Sequence, residues 1–515
     1  MINGFTMHNT DTKDGKFYSN VFIIFCAIWF IIWSFIPFFL FEGVFCDVLE
    51  YTALVNHDFS WGYDKQPYFG VWLTGATSLF GDLQFSYLCC QLCVIITAFA
   101  IWKLASYFLP PAQSLLSVIF ILITPTYFFF SFVFCQNIIL QALWALILLY
   151  FYRSLVKQKA IDWLLLGLFC GLGLMTKYFT VFLFVPMALF IIFSKEGRAS
   201  FSKAGIYLCA ILFLLIILPN FIWLLNNDFI AFTYGINVAK LDANPTILYH
   251  ILSPLHVVGL VVANFIISII MLFSFFSKRD STSTYSISSF DKKYINLMCF
   301  SPLLLIIIFA FIEGSYIKME WLFPTIGLFG IFAIMYWRPS ITRKNFTKAI
   351  IYSAAITVLA IVVNLFALMY YFPYKYPTMY IMPLPANNIA KDVLKEWYKA
   401  YHTPIKFVLG PIHFSSMVSN FDQNHPRAIY MDSDYRDLYP EYKSAIDKYG
   451  AILIWYGKES PKWLNEIEDT KILDYQTKSY NRAVKPWFEK LIKKWTGESP
   501  RTIEVSFAFI PPKDI

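Results

Sequence analysis

Residues 41–75 read FEGVFCDVLEYTALVNHDFSWGYDKQPYFGVWLTG. An apolar run at 18–41 leads into this stretch and another at 84–109 follows it. A helix needs roughly 20 apolar residues to cross about 30 Å of hydrocarbon. Each flanking run can therefore span a bilayer, and the segment between them is a loop at one membrane face. The loop is too polar to span and too aromatic for an idle connection. Asp47, Glu50, Asp58, Asp64 and Lys65 stand among Tyr51, Trp61, Tyr63, Tyr68 and Trp72. Rings stack on the apolar faces of sugars while carboxylates bond to hydroxyls. An interfacial aromatic belt has a similar composition, so composition alone leaves both alternatives open.

Outward from this loop the apolar pattern repeats. Further runs lie near 112–133, 137–154, 161–176, 179–194, 203–225, 250–277, 294–312, 320–337 and 347–371. With the two already named they make eleven candidate spans, within a range of ten to thirteen. The 161–194 stretch reads either as two short helices around Lys177 or as one broken helix. The first run is too long for a cleavable signal peptide and no small-residue cleavage site follows it. The chain of 515 residues is 58% apolar and only 14% charged, against about 25% charged in ordinary soluble domains. Half of its 74 charged side chains fall in the last 144 residues. The expected fold is a polytopic α-helical membrane region (18–371) behind a short cytoplasmic N-terminus (1–17), with 42–83 as the working loop. A soluble extracytoplasmic α/β domain (372–515) completes it.

Basic residues set the orientation, because cytoplasmic loops accumulate Lys and Arg. With the N-terminus in the cytoplasm, seventeen basic residues of the membrane region fall on the cytoplasmic side. Only Lys65, Lys177, Lys240 and Lys318 fall outside before the tail. Ten acids lie on the outer side and six inside, which directs the chemistry to the outer face. The net charge of +8 is then a matter of topology, and no nucleic-acid partner is expected. The nine cysteines avoid the tail, so that domain is not expected to carry disulfides. Cys89, Cys90 and Cys93 sit in an apolar helix without a nearby His, and no thiolate metal spacing is present.

The tail opens with a Pro- and Tyr-rich linker, 372–388. Strands are expected at 406–410, 428–432, 451–457 and 502–510, and helices at 388–402, 439–450 and 461–469. No Walker-type or GxGxxG loop supports nucleotide binding. The basic amphipathic segment FEKLIKKW at 488–495 reads as a solvated helix or as a contact for anionic lipid headgroups.

The loop motif WGYDKQPYFGVWL (61–73), behind an acid that follows the first span, resembles the GT-C class of membrane glycosyltransferases. The nearest group is the bacterial glycosyltransferase 39/83 type, related to dolichyl-phosphate-mannose–protein mannosyltransferases and including the lipid A aminoarabinose transferase. Asp47 and Glu50 match the family's acids. Trp61, Gly62, Tyr63, Lys65, Gln66 and Pro67 match its second element. Three later segments also fit: TPTYFFFSFVF (124–134), GLGLMTKYFTVFLFVP (171–186), which places Lys177, and KMEWLFP (318–324), which places Glu320. The chain departs at Val48, at Tyr68, at Cys135–Gln136–Asn137 and at Glu320. These departures put a two-acid metal site in doubt and point to a different donor or acceptor.

The resemblance implies a polyprenyl-phosphate sugar donor and a lipid, glycan or protein acceptor, lipopolysaccharide among them. Membrane lipids are the surroundings, and a bacterial inner membrane is the location. Negative charge develops on the leaving phosphate, so Lys65 and Lys177 are assigned to it. Their alternative is interfacial snorkelling. Asp47 is the candidate general base. Glu50, one turn further on, orients the acceptor or a divalent cation if the loop opens as a helix. Tyr63, Gln66, Trp61 and Glu320 are assigned to substrate binding. His57, His250 and His256 are minor candidates. No organic cofactor is expected. A transporter or flippase of lipid-linked sugars is the alternative, but no internal repeat of the kind transporters carry is visible. A non-catalytic assembly partner that binds through the tail is a further alternative.

Overall fold

The structure is a computed structural model. It describes residues 12–41, 43–57, 59–130, 132–234, 246–278, 286–371, 384–431, 439–467, 475–482, 486–497 and 502–513. Asp58, Lys240 and the expected linker as far as residue 383 lie outside the described residues. The first helices are α1 (Lys13–Leu40), α2 (Cys46–His57), α3 (Phe69–Gly75), α4 (Ser86–Ala105), α5 (Pro111–Leu122), α6 (Pro125–Phe129) and α7 (Gln136–Lys157). Then come α8 (Ala160–Thr176), α9 (Val181–Phe193), α10 (Lys195–Ser200), α11 (Ala204–Asn226), α12 (Ile247–Phe275) and α13 (Ser289–Glu313). They are followed by α14 (Met319–Leu322), α15 (Phe329–Trp337), α16 (Arg343–Phe366), α17 (Ala386–Tyr401), α18 (Ile412–Phe421), α19 (Tyr439–Tyr449) and α20 (Pro486–Thr496). The strands are β1 (Phe407–Gly410), β2 (Arg427–Tyr430), β3 (Ala451–Tyr456), β4 (Gln476–Asn481) and β5 (Thr502–Ile510).

Among the described residues seven helices are long and apolar enough to cross a membrane, or eight if the pair Met319–Ile326 and Phe329–Trp337, bent by 50° and therefore a broken span or a re-entrant loop, counts as one. Three shorter apolar helices, Pro111–Leu122, Ala160–Thr176 and Tyr178–Phe193, occupy the remaining expected positions. The stretch 161–194 is two helices parted at Lys177. The run at 112–133 is also two, because Pro125 forces Thr124 into an extended conformation. The Thr126 N–H and hydroxyl there both donate to Asn264 Oδ1, at 3.0 and 2.7 Å.

The chain divides into two compact units that do not follow chain order. The first comprises Met1–Trp33, Trp61–Gly70 and Cys90–Ile361. Within it α7 is buried along most of its length, while α11 leaves Leu214, Leu215 and Leu218 exposed. α8 lies close against α11. A Cβ at Gly167 would stand 2.5 Å from the Cys209 carbonyl oxygen, so only glycine permits this approach. Arg153 on α7 pairs with the buried Asp162 on α8 at 2.6 Å, and Tyr152 donates to Asp291 on α13 at 2.8 Å.

The second unit comprises Ser34–Ser60, Val71–Cys89 and Val362–Ile515. Its sheet has the order β2-β1-β3-β5-β4. β1 runs parallel to β2 and β3, while β5 is antiparallel to β3 and β4. The parallel pairs arise from crossovers through α18 and α19. Leu409, Leu453 and Ala508 lie in one core with Ile446 of α19 and with Trp463. Phe509 meets Trp397 of α17, with ring centroids 5.5 Å apart. Gly450 ends α19 at φ +73, where a Cβ would also stand 2.5 Å from the Ile510 carbonyl oxygen.

The helix expected at 461–469 is a short 3-10 turn, Lys462–Glu466. Two elements escaped the sequence reading. β4 is a polar edge strand in which only Tyr480 is buried. α18 carries Phe414, Met417, Val418 and Phe421 at helical spacing, a signal that could have found it.

Candidate active site

The predicted residues fall into two groups, one in each unit. In the second unit, α2 carries Asp47 in its first turn, where the helix dipole favours a carboxylate. The Tyr51 hydroxyl donates to Asp47 Oδ2 and the Cys46 thiol to Oδ1, each at 3.4 Å. Tyr51 lies one turn beyond Asp47, so a local i,i+4 contact orients the carboxylate. Glu50 also follows Asp47 by one turn and is only 4% exposed, whereas Asp47 is half-buried. His57 sits at the exposed end of the helix.

α2 packs on α18 of the α/β region within the same unit. Asn420 Nδ2 donates to the Leu49 carbonyl at 2.9 Å, between the two acids in sequence. Asn56 approaches His425 Nδ1 at 3.5 Å. Sequence reasoning missed Asn420, because a lone Asn on a helix carries no signal of a partner 371 residues away.

In the first unit, Trp61–Gly70 forms a tight turn. Gly62 bridges Pro67, and the Tyr63 N–H donates to the Gln66 carbonyl at 3.1 Å. Gln66 Nε2 donates to the Tyr63 hydroxyl at 3.0 Å, which fixes both side chains. Asp64 and Lys65 stand at the tip, half-buried. The turn is clamped from α11. Asn220 donates to the Trp61 carbonyl at 2.8 Å, and the Trp223 ring lies where a Cβ on Gly62 would come within 2.5 Å. Asn220 also accepts from the Tyr178 hydroxyl at 3.0 Å.

Lys177, next to Tyr178, occupies the extended break between α8 and α9. Its ammonium donates to Asn137 Oδ1 at 2.9 Å and lies 5.4 Å from the centroid of the Trp321 ring. Glu320 is half-buried beside Trp321 in α14. The structure therefore joins Trp61, Tyr63 and Gln66 through Asn220 and Tyr178 to the segment holding Lys177, and sets Lys177 against Trp321. Asn220, Tyr178 and Trp321 were not anticipated, although Asn220 stands out as a polar residue in an apolar run. His250 contacts the Phe311 carbonyl at 2.7 Å, and the His256 ring meets Tyr316 edge-on at 4.9 Å. Among the described residues no group of three or more His, Cys, Asp or Glu side chains is placed to hold a metal ion.

The site thus belongs to a chain of apolar helices followed by a C-terminal α/β region, with the Trp61–Gly70 turn ahead of a long apolar stretch. Residues 64–223 match the family model described as dolichyl-phosphate-mannose-protein mannosyltransferase. That segment includes Lys65, Gln66 and Lys177 but neither Asp47 and Glu50 nor Glu320. Among solved structures, the fold is similar to that of ArnT from Cupriavidus metallidurans bound to undecaprenyl phosphate. The identity is 12%, the TM-score 0.59, and the match covers 95% of this chain and 98% of that one. The apo state of the same protein gives 13%, 0.57, 96% and 98%. At such identity the likeness is one of fold. Comparison with curated proteins gives no significant match.

Proposed function

We propose that the protein transfers a sugar from a polyprenyl-phosphate donor to a lipid, glycan or protein acceptor at the outer face of a bacterial inner membrane. The observation that carries this is Lys177, held by Asn137 and Trp321 beside the Trp61–Gly70 turn, within the segment that matches the mannosyltransferase family. The excess of basic residues on one side of the spans supports a cytoplasmic N-terminus and an extracytoplasmic C-terminal domain.

In the proposed reaction the acceptor hydroxyl oxygen attacks the sugar C1 as its proton passes to the Asp47 carboxylate. The C1–O bond to the phosphate breaks, and its electron pair leaves on the lipid phosphate. Lys65 and Lys177 stabilise the charge that develops there. With one base and no covalent partner, configuration at C1 inverts. If the acceptor is itself a phosphate, no base is needed and Asp47 positions it. Tyr63, Gln66, Trp61 and Glu320 bind the sugar. Glu50 orients the acceptor or a divalent cation; no organic cofactor takes part.

The test is turnover by purified protein supplied with polyprenyl-phosphate sugars and a panel of acceptors. The Asp47→Asn variant should keep its fold and lose about 10²- to 10⁴-fold in rate with a hydroxyl acceptor. Unchanged transfer by that variant removes the base assignment. Vectorial lipid movement without transfer overturns the whole proposal in favour of a flippase.

A further inference from the structure

We propose that α20 is an in-plane docking helix that binds the surface of an anionic phospholipid bilayer. The sheet itself does not need this helix. Asn481 at the end of β4 pairs directly with Thr502 at the start of β5. An antiparallel pair in that register can be closed by two to about five residues. The chain instead inserts twenty, 482–501, and builds a helix from Pro486 to Thr496 within them.

The composition of the insertion differs from the rest of the domain. Residues 482–501 hold six basic and two acidic side chains, a net charge of +4. The remainder of 372–515 holds 14 basic and 15 acidic, a net charge of −1. The domain's positive charge is therefore concentrated on this one excursion. At 100° per residue, Trp487, Leu491 and Trp495 form one stripe, and Lys490 and Lys494 flank it on one side with Lys493 beyond them. Trp487 is 59% exposed and Trp495 72% exposed. Exposed indole surface beside lysines on one stripe is what a helix lying in a membrane surface presents. Indole rings with adjacent lysines suit the headgroup region, where the ring sits at the acyl boundary and the ammonium reaches phosphate.

Anionic lipid is the partner that complements the charge of these lysines. Twelve residues, 372–383, separate the described part of the domain from the end of the last apolar helix, at most about 45 Å of chain. The helix is thus presented to a bilayer at high effective concentration, so a weak contact suffices.

The test uses the full chain in nanodiscs, comparing phosphatidylcholine alone with phosphatidylcholine plus phosphatidylglycerol, and reads backbone hydrogen exchange over 486–496. Exchange should be about tenfold slower in the anionic discs, and added salt should reverse the difference. Lys490→Glu, Lys493→Glu and Lys494→Glu combined should abolish it. Trp487→Ser with Trp495→Ser should weaken it. Unchanged exchange of the β3 and β5 amides checks that the variants remain folded. The salt titration on the unsubstituted protein tests the proposal independently of any variant. Equal exchange in both discs, or equal protection in a neutral detergent micelle, overturns it, the latter by assigning the cover to the protein itself.

Discussion

Lys177 illustrates how a single residue acquires its environment. Its ammonium donates to Asn137 across 40 residues and lies near the Trp321 ring, on another helix again. Lys177→Ala should lower kcat/KM about 10²- to 10³-fold, as loss of a positioned charge-stabilising donor does elsewhere. Lys177→Arg should retain part of the rate, measured in the same transfer assay. Gly62 gives a structural counterpart. A methyl group there would meet the Trp223 ring, so Gly62→Ala should destabilise the protein by about 1–3 kcal/mol, read as a lowered unfolding temperature in detergent. Lys65, Tyr63 and Gln66 were legible as candidates because they lie within one short motif. Asn220 was not, since its partners Trp61 and Tyr178 lie 159 and 42 residues away.

At the scale of elements, α2 is the informative case. It is buried through Val48–Ala53 and gripped by Asn420 from α18, so the helix that carries both acids is seated on the α/β region of its own unit. Asn420→Ala leaves the Leu49 carbonyl its remaining partners and should cost about 1 kcal/mol. Chemical denaturation of the full chain, with tryptophan emission as the readout, measures this. The helix was anticipated only conditionally, because twelve residues of mixed polarity give a weak periodic signal. β4 was missed for a related reason. Its outward positions are polar, as an edge strand requires, and the alternation that marks a half-buried strand is reduced to Tyr480.

For the whole molecule, the titration of the C-terminal region sets an alkaline limit. Burial, aided by the Asp422 carboxylate beside Tyr398 and the Asp392 carboxylate beside Tyr480, holds both phenols above the ordinary value of 10. A raised pKa in the folded state means that the unfolded chain releases these protons first as pH climbs. The stabilisation is complete below about pH 10 and is lost progressively above it. Exchange of the β3 and β5 amides should accelerate as pH rises beyond that point, after correction for intrinsic rates, and Tyr480→Phe should reduce the dependence. The division into units also has a consequence. Because Ser34–Ser60 belongs with Val362–Ile515, the α/β region and α2 should unfold together.

The sequence by itself marked a polytopic helical region of membrane composition followed by a C-terminal α/β domain. It also located the eleven apolar runs, four of the five strands and the motif around Lys65. These are local properties: a run long enough to span, an alternation of period two, a cluster within a dozen residues. Only the tertiary structure decided which polar groups meet. Lys177 finds Asn137 across 40 residues, Trp61 finds Asn220 across 159, and Leu49 finds Asn420 across 371. Contacts of this kind depend on where whole helices pack, and a single polar side chain in an apolar run carries no periodic trace of the partner that packing will bring to it.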